Sequence, residues 1–131
     1  MMQGSLTFVG TGLTIAGQVT QEALSCIVGA ERLFYLASNV TTSRWLESLN
    51  ASAESLHDAY GEGKPRERTY EEMVQRILAP LFDGKHVVVA LYGHPGVFVT
   101  PSHEAIRRAR AAGYEASMQP GISAEDCLFA E

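Results

Sequence analysis

Residues 86–96 read HVVVALYGHPG: a strand-like apolar run passes without a break into two glycines, two polar rings and a proline. That run, with SLTFVG from Ser5 and RLFYLA from Arg32, is near-continuous in apolar residues rather than alternating. Strands of this kind are covered on both faces, which an antiparallel sheet open to water on one side does not need. A weaker fourth strand, EASMQ, begins at Glu115. The segments between them carry helical periodicity, as in QVTQEALSCIVGA and TTSRWLESL. Strands alternating with helices imply right-handed crossovers and a mainly parallel sheet with helices on both faces. The expected class is α/β.

Local signals set the expected helix ends. TYEEMVQRIL opens like a capping box, with Thr69 as N-cap and Glu72 three residues on. Pro80 should kink or end that helix. Thr100 and Pro101 should begin another, proline at the first position losing no hydrogen bond, and Gly113 should close it in a left-handed conformation. Near the end, PGISAEDCLFAE starts a helix with Ser123 as N-cap and Asp126 at the third position. The connection YGEGKPRER from Tyr60 is glycine-rich, charged and aperiodic.

With 131 residues, 46% hydrophobic and 19% charged, the chain suits one globular domain, residues 1–131, rather than two. A net charge of −5 argues against a nucleic-acid partner gripped through its phosphates. No apolar run approaches the roughly 18 residues of a membrane span, and the N-terminus lacks a signal pattern, so no membrane and a cytoplasmic location are expected. Cys26 and Cys127 form no CxxC pair, and His57, His86, His94 and His103 lack metal-site spacing. No metal is expected.

Three turns are candidates for ligand contact. VGTGLTIAG follows the first strand, but Gly10 and Gly12 are followed by Ile15 where a dinucleotide fingerprint wants a third glycine, which disfavours a nicotinamide enzyme. In YGHPG, at the carboxyl end of a strand where α/β sheets bind ligands, Gly93 and Gly96 bare the backbone while Tyr92 and His94 offer rings. A tight strand-to-helix turn without a ligand is the plainer alternative. PGISAED is a second such turn, for which capping by Ser123 suffices and ligand contact is compatible. The loop from Tyr60 gathers Lys64, Arg66, Arg68 and Tyr70, either as a solvated charged loop or as a set in which Arg66 and Tyr70 converge from the first turn of the following helix. Arg107, Arg108 and Arg110 read as the wet face of theirs.

Together, VGTG, YGHPGVF and PGISAED resemble the N-terminal half of the tetrapyrrole (corrin/porphyrin) methylase superfamily. AGQVT, YGEGKPRERTYEEMV, LYGHPGVFVTPSHEAI and PGISAEDCLFA are similar to its borosin-type branch, the peptide backbone N-methyltransferases. The resemblance covers essentially the whole chain. It implies transfer of a methyl group from S-adenosylmethionine, held in a cleft between two α/β domains. Carried over by position, Tyr92, His94, Val97 and Phe98 would contact the cofactor from one loop, and Ser123 and Ala124 from the other. Tyr60, Arg66 and Tyr70 would surround the reacting amide: Arg66 steadying charge on its oxygen, Tyr70 taking its proton, Tyr60 orienting either partner.

Two departures qualify what the resemblance implies. Tetrapyrrole enzymes usually carry an aspartate in the first turn that touches the macrocycle, and GTGLTIAG has none, which turns the expected acceptor toward a peptide or other small molecule. The family's active unit also has a second α/β domain, absent here. The expectation is therefore a half-enzyme, inactive or weak alone, completed by a C-terminal domain or by homo-oligomerisation. A fragment of a tetrapyrrole methylase remains another possibility, as does a non-catalytic binding or dimerisation module of the same fold.

Overall fold

The run HVVVAL forms the middle of a five-stranded sheet in the computed structural model, which describes residues 3–14, 16–96 and 100–131. The strands are β1 (Ser5–Gly10), β2 (Arg32–Leu36), β3 (Glu54–Ser55), β4 (His86–Leu91) and β5 (Glu115–Met118), in the order β3-β2-β4-β1-β5, all parallel. Five helices connect or follow them: α1 (Gln21–Gly29), α2 (Val40–Leu49), α3 (Arg66–Phe82), α4 (Thr100–Ala111) and α5 (Ala124–Ala130). The two-residue β3 carries too little apolar character to be legible as a strand beforehand.

Crossover handedness places the helices. The chain moves one way along the sheet from β1 through β2 to β3, then the other way through β4 to β5, so same-handed crossovers put α1 and α2 on one face and α3 and α4 on the other. The cores agree. Val88 and Ala90 pack with Ala23, Ile27 and Leu46, whereas Val87, Val89 and Leu91 pack with Met73, Ile77, Ala105 and Ala109. Alternate residues of β4 thus serve opposite cores, and five of its six residues are buried. Burying each large side chain of this kind contributes about 1.5–3 kcal/mol.

The expected start of one helix changes. α3 begins at Arg66 behind Pro65, not at Thr69. The Thr69 N–H donates to the Pro65 carbonyl at 3.2 Å, a bond of the helix interior, and its side chain is buried. Glu72 does not turn back to cap but accepts from Lys64. The helix gains its extra turn because Pro65 supplies a fitting φ of −58° and Arg66, Glu67 and Arg68 extend into water. It then passes through Pro80, in its last turn, and ends at Phe82. Gly113 is left-handed after α4, with φ of 91°, and Ser123 and Asp126 form a reciprocal capping box on α5. No described helix is long and apolar enough to cross a membrane.

Candidate functional site

The sheet ends level where its connections diverge. Leu36, Leu91 and Gly10 are register partners at the carboxyl ends of β2, β4 and β1. From the neighbours β1 and β4 the chain departs to opposite faces, which opens the crevice that α/β sheets use for ligands. Ladder bonding continues one residue further: the Thr11 N–H donates to the Leu91 carbonyl at 2.8 Å, and the Tyr92 N–H to the Leu36 carbonyl at 3.1 Å.

The two turns above these strands are locked together. Gly93 donates to the Gly12 carbonyl at 2.9 Å and Gly12 donates back at 3.3 Å. Gly10 lies against this bridge so closely that a Cβ there would overlap the Gly93 carbonyl oxygen and approach Pro95 Cδ to 3.0 Å. A Cβ on Gly121, from the third turn, would meet Gly10 Cα and the Gly93 oxygen at 3.3 Å. The wall is a lattice of backbone, and glycine is required because three chain segments touch.

A cleft of about 300 Å³ opens beside that wall, at the small end of the range for ligand sites. Tyr92, Gly93 and His94 line it from the β4 turn, Ser123 and Ala124 from the start of α5, and Leu13 from the β1 turn. Tyr60, Arg66, Tyr70 and Met73 line it from α3 and the loop before it. The structure therefore brings the expected Tyr60, Arg66, Tyr70, Tyr92, His94, Ser123 and Ala124 around one space. Val97 and Phe98 lie outside the described residues.

Because α3 starts at Arg66, that residue heads the helix and Tyr70 stands in its second turn, not in the first as expected. Arg66, Tyr70 and Met73 are then spaced i, i+4 and i+7 and form one stripe. Met73 was not anticipated, although its spacing from Tyr70 carries the signal once the helix start is right. Leu13, Leu36, Leu91 and Pro101 also line the cleft and were likewise not singled out for it.

Electrostatics give the rings and cations separate characters. Burial raises the Tyr60 phenol above its ordinary range, helped by the nearby Tyr70 and Tyr92 and opposed by Arg66. Tyr60 is thus a firm hydrogen-bond donor at neutral pH. Among the described residues Arg66 makes no side-chain hydrogen bond or ion pair, and it is the only cleft-lining residue with a permanent charge. His94 Nδ1 accepts from the Gly96 N–H at 2.9 Å, so the neutral ring carries its proton on Nε2. The Asp126 carboxyl is held below its usual range by the backbone N–H and hydroxyl of Ser123, with His94 adding to this.

Elsewhere, Cys26 and Cys127 are half-buried free thiols, each beside a glutamine amide, of Gln119 and Gln18 respectively. Among the described residues no group of three or more His, Cys, Asp or Glu is arranged to hold a metal ion.

Known proteins resemble this chain at three levels. The family model for tetrapyrrole (corrin/porphyrin) methylases matches residues 5–131. The methyltransferase/ribosomally synthesized cyclic peptide dendrothelin A precursor of Dendrothele bispora (strain CBS 962.96) is 46% identical over 128 residues, covering 98% of this chain and 31% of that protein. The corresponding omphalotin A precursor of Omphalotus olearius is 45% identical over the same coverage. The chain spans about a third of the length of these curated relatives. Uroporphyrin-III-C-methyltransferase from Thermus thermophilus shares the fold, with a TM-score of 0.75 and 22% identity over 98% of this chain and 53% of that one.

Proposed function

This chain belongs to the tetrapyrrole (corrin/porphyrin) methylase family, whose members are S-adenosylmethionine-dependent methyltransferases, and we propose that its cleft serves methyl transfer to a peptide backbone amide. The observation that carries this reading is the convergence of Arg66, Tyr60 and Tyr70 on a cleft that Tyr92, Gly93 and His94 also line. The relatives described as methyltransferase/cyclic peptide precursors support a peptide as acceptor.

The donor set fits the cofactor. Although the Gly93 backbone is spent on Gly12, the Tyr92 ring and an N–H on His94 Nε2 suit a ligand with an adenine ring and polar edges, and Ser123 and Ala124 would close it from α5. When bound, S-adenosylmethionine supplies an electrophilic methyl group. An amide nitrogen is a weak nucleophile because its lone pair is shared with the carbonyl. Arg66, unpaired and cationic, would hold the carbonyl oxygen as negative charge collects there. Tyr60 keeps its proton and so would donate to the acceptor, while Tyr70, acting as its phenolate, would take the amide proton. Holding the amide in line with the methyl group supplies much of the remainder.

On this proposal residues 1–131 are the N-terminal α/β domain of a two-domain unit, and a second α/β domain or a second copy of the chain forms the missing wall. Tyr92, half exposed, and the exposed Leu128 and Phe129 on α5 are surfaces such a partner would cover. The same exposed side chains favour a second reading, a non-catalytic dimerisation or binding module. A cytoplasmic setting belongs to the first proposal and suits the free thiols.

The test is calorimetric titration of S-adenosylmethionine, and separately of its demethylated product, into the chain. The expected result is measurable binding of both, weakened about tenfold by Tyr92→Ala, a loss of roughly 1.4 kcal/mol. No heat at millimolar ligand would overturn the view that this domain carries a usable cofactor site and would favour the binding module.

A further inference from the structure

Tyr60 sits on a loop that should be loose. Gly61 and Gly63 follow it, Gly63 with φ of 72°, and the neighbouring residues 61–63 are exposed. Yet Tyr60 must keep a fixed relation to Arg66 and Tyr70, which are carried by α3. Two side chains link the loop to the helix: Arg76 of α3, which reaches Asp58, and Lys64, which spans Tyr60 itself. Its Nζ donates to the Ala59 carbonyl oxygen at 2.7 Å and to Glu72 Oε1 at 3.0 Å. The Ala59 carbonyl belongs to the same peptide plane as the Tyr60 N–H, and Glu72 lies two residues beyond Tyr70 on α3. Lys64 therefore ties the peptide group that launches Tyr60 to the helix that bears the other two residues.

The brace is built into the surroundings. The Lys64 side chain is only 21% exposed, and its own N–H closes a turn onto the Gly61 carbonyl at 3.1 Å. Before Tyr60 the chain is already anchored. His57 Nε2 contacts the Ala37 carbonyl at 2.8 Å, and Arg76 reaches Asp58 Oδ1 at 2.8 Å, the Ser55 carbonyl at 3.2 Å and Glu54. Ala59 is fully buried. The Tyr60 N–H also closes the preceding turn onto the His57 carbonyl at 3.1 Å, and Lys64 holds the carbonyl of the same peptide where the chain leaves the core.

We propose that Lys64 is a positioning residue, which sets Tyr60 against Arg66 and Tyr70 by clamping the Ala59–Tyr60 peptide to Glu72. The proposal rests on the reading of Tyr60 as part of a transfer site. A lysine suits the task because one ammonium can satisfy a carbonyl and a carboxylate together, in a half-buried place where both are stronger than in water.

The sign of a tyrosine titration tests it. The chain is labelled with ¹³C at tyrosine Cζ, and the Tyr60 signal is assigned with Tyr60→Phe. The groups that face Tyr60 are Tyr70 and Arg66 from α3, Tyr92 from the β4 turn and the His57 ring at 6.2 Å. In Lys64→Ala, the half-exposed ring, released from the neighbours that desolvate its hydroxyl, titrates at lower pH than in the wild type, closer to a fully exposed tyrosine. Lys64→Arg restores at least half of the shift. If Lys64 acted through its charge alone, its loss would move the midpoint upward instead. A midpoint that stays or rises overturns the proposal. Glu72→Gln, which keeps the lysine but weakens its anchor, gives the same downward direction with a smaller shift and serves if Lys64→Ala does not fold. Failure of the chain to bind S-adenosylmethionine would overturn the functional reading and leave this titration result standing.

Discussion

The two sides of the cleft are made of different material. One is backbone: Gly10, Gly12, Gly93 and Gly121 touch so closely that the turns after β1 and β4 bond to each other as a short antiparallel pair. The other is side chain: Tyr60, Arg66 and Tyr70 project from a loop and a helix held by Lys64–Glu72 and Arg76–Asp58 ion pairs. At Gly10 the first side has a shape that only glycine permits. The second is exposed at Tyr60 and Arg66, while Tyr70 packs against the core. A site divided this way can keep a rigid place for one ligand while the opposite side supplies chemistry.

The difference can be tested first where it is steepest. Gly10→Ala must push backbone apart, because its Cβ would overlap the Gly93 carbonyl, and should cost about 3 kcal/mol of stability, read by denaturant unfolding. An unchanged midpoint would mean that the turns are not packed as described. Gly93→Ala has open space around its Cβ but a φ of 72°, so it should cost about 1–2 kcal/mol from conformation alone. If the two variants were equally destabilised, close approach would not be what shapes this side. Arg66→Ala, on the other side, should leave stability within about 0.5 kcal/mol while abolishing the methyl transfer proposed above. A large loss of stability there would erase the distinction.

Acid should separate the two sides by a smaller margin. Glu54 is held below its usual range chiefly by its hydrogen bond to Arg76, as is Asp58. A depressed carboxylate stabilises the fold above its unfolded pKa, about 4 for these residues, and that contribution is lost as pH falls through the lower folded value. The protection factors of amides around Asp58–Lys64, which take out the intrinsic slowing of exchange in acid, should therefore fall on acidification from about pH 5 to pH 3, before those at the Gly12–Gly93 bridge do. The reverse order would place the ionic anchors elsewhere.

The same contrast explains what was legible in the sequence. The parallel sheet followed from runs such as HVVVAL, since two buried faces leave little room for polar residues. Ser123 and Asp126 announced their capping box because capping is a local interaction. The start of α3 was misjudged because the Thr69–Glu72 pattern is also local, whereas the actual start depends on Pro65 and on Glu72 being taken by Lys64. That shift in turn hid Met73 from the stripe of Arg66 and Tyr70. The backbone lattice was only half visible: glycines at 10, 12, 93 and 121 are plain in the sequence, but their mutual contact is a property of strand order. β3 was missed because two residues, Glu54 and Ser55, carry no periodicity.

The most direct measurement of the central claim, that one side holds the cofactor and the other the acceptor, is two-step amide and side-chain NMR mapping on this chain. S-adenosylhomocysteine is added first, then a short apolar peptide. The account predicts that the first ligand shifts Gly93, His94, Ser123 and Ala124, and that the peptide then shifts Tyr60, Arg66 and Tyr70. Shifts from both ligands on the same side, or from the first ligand away from the cleft, would contradict it.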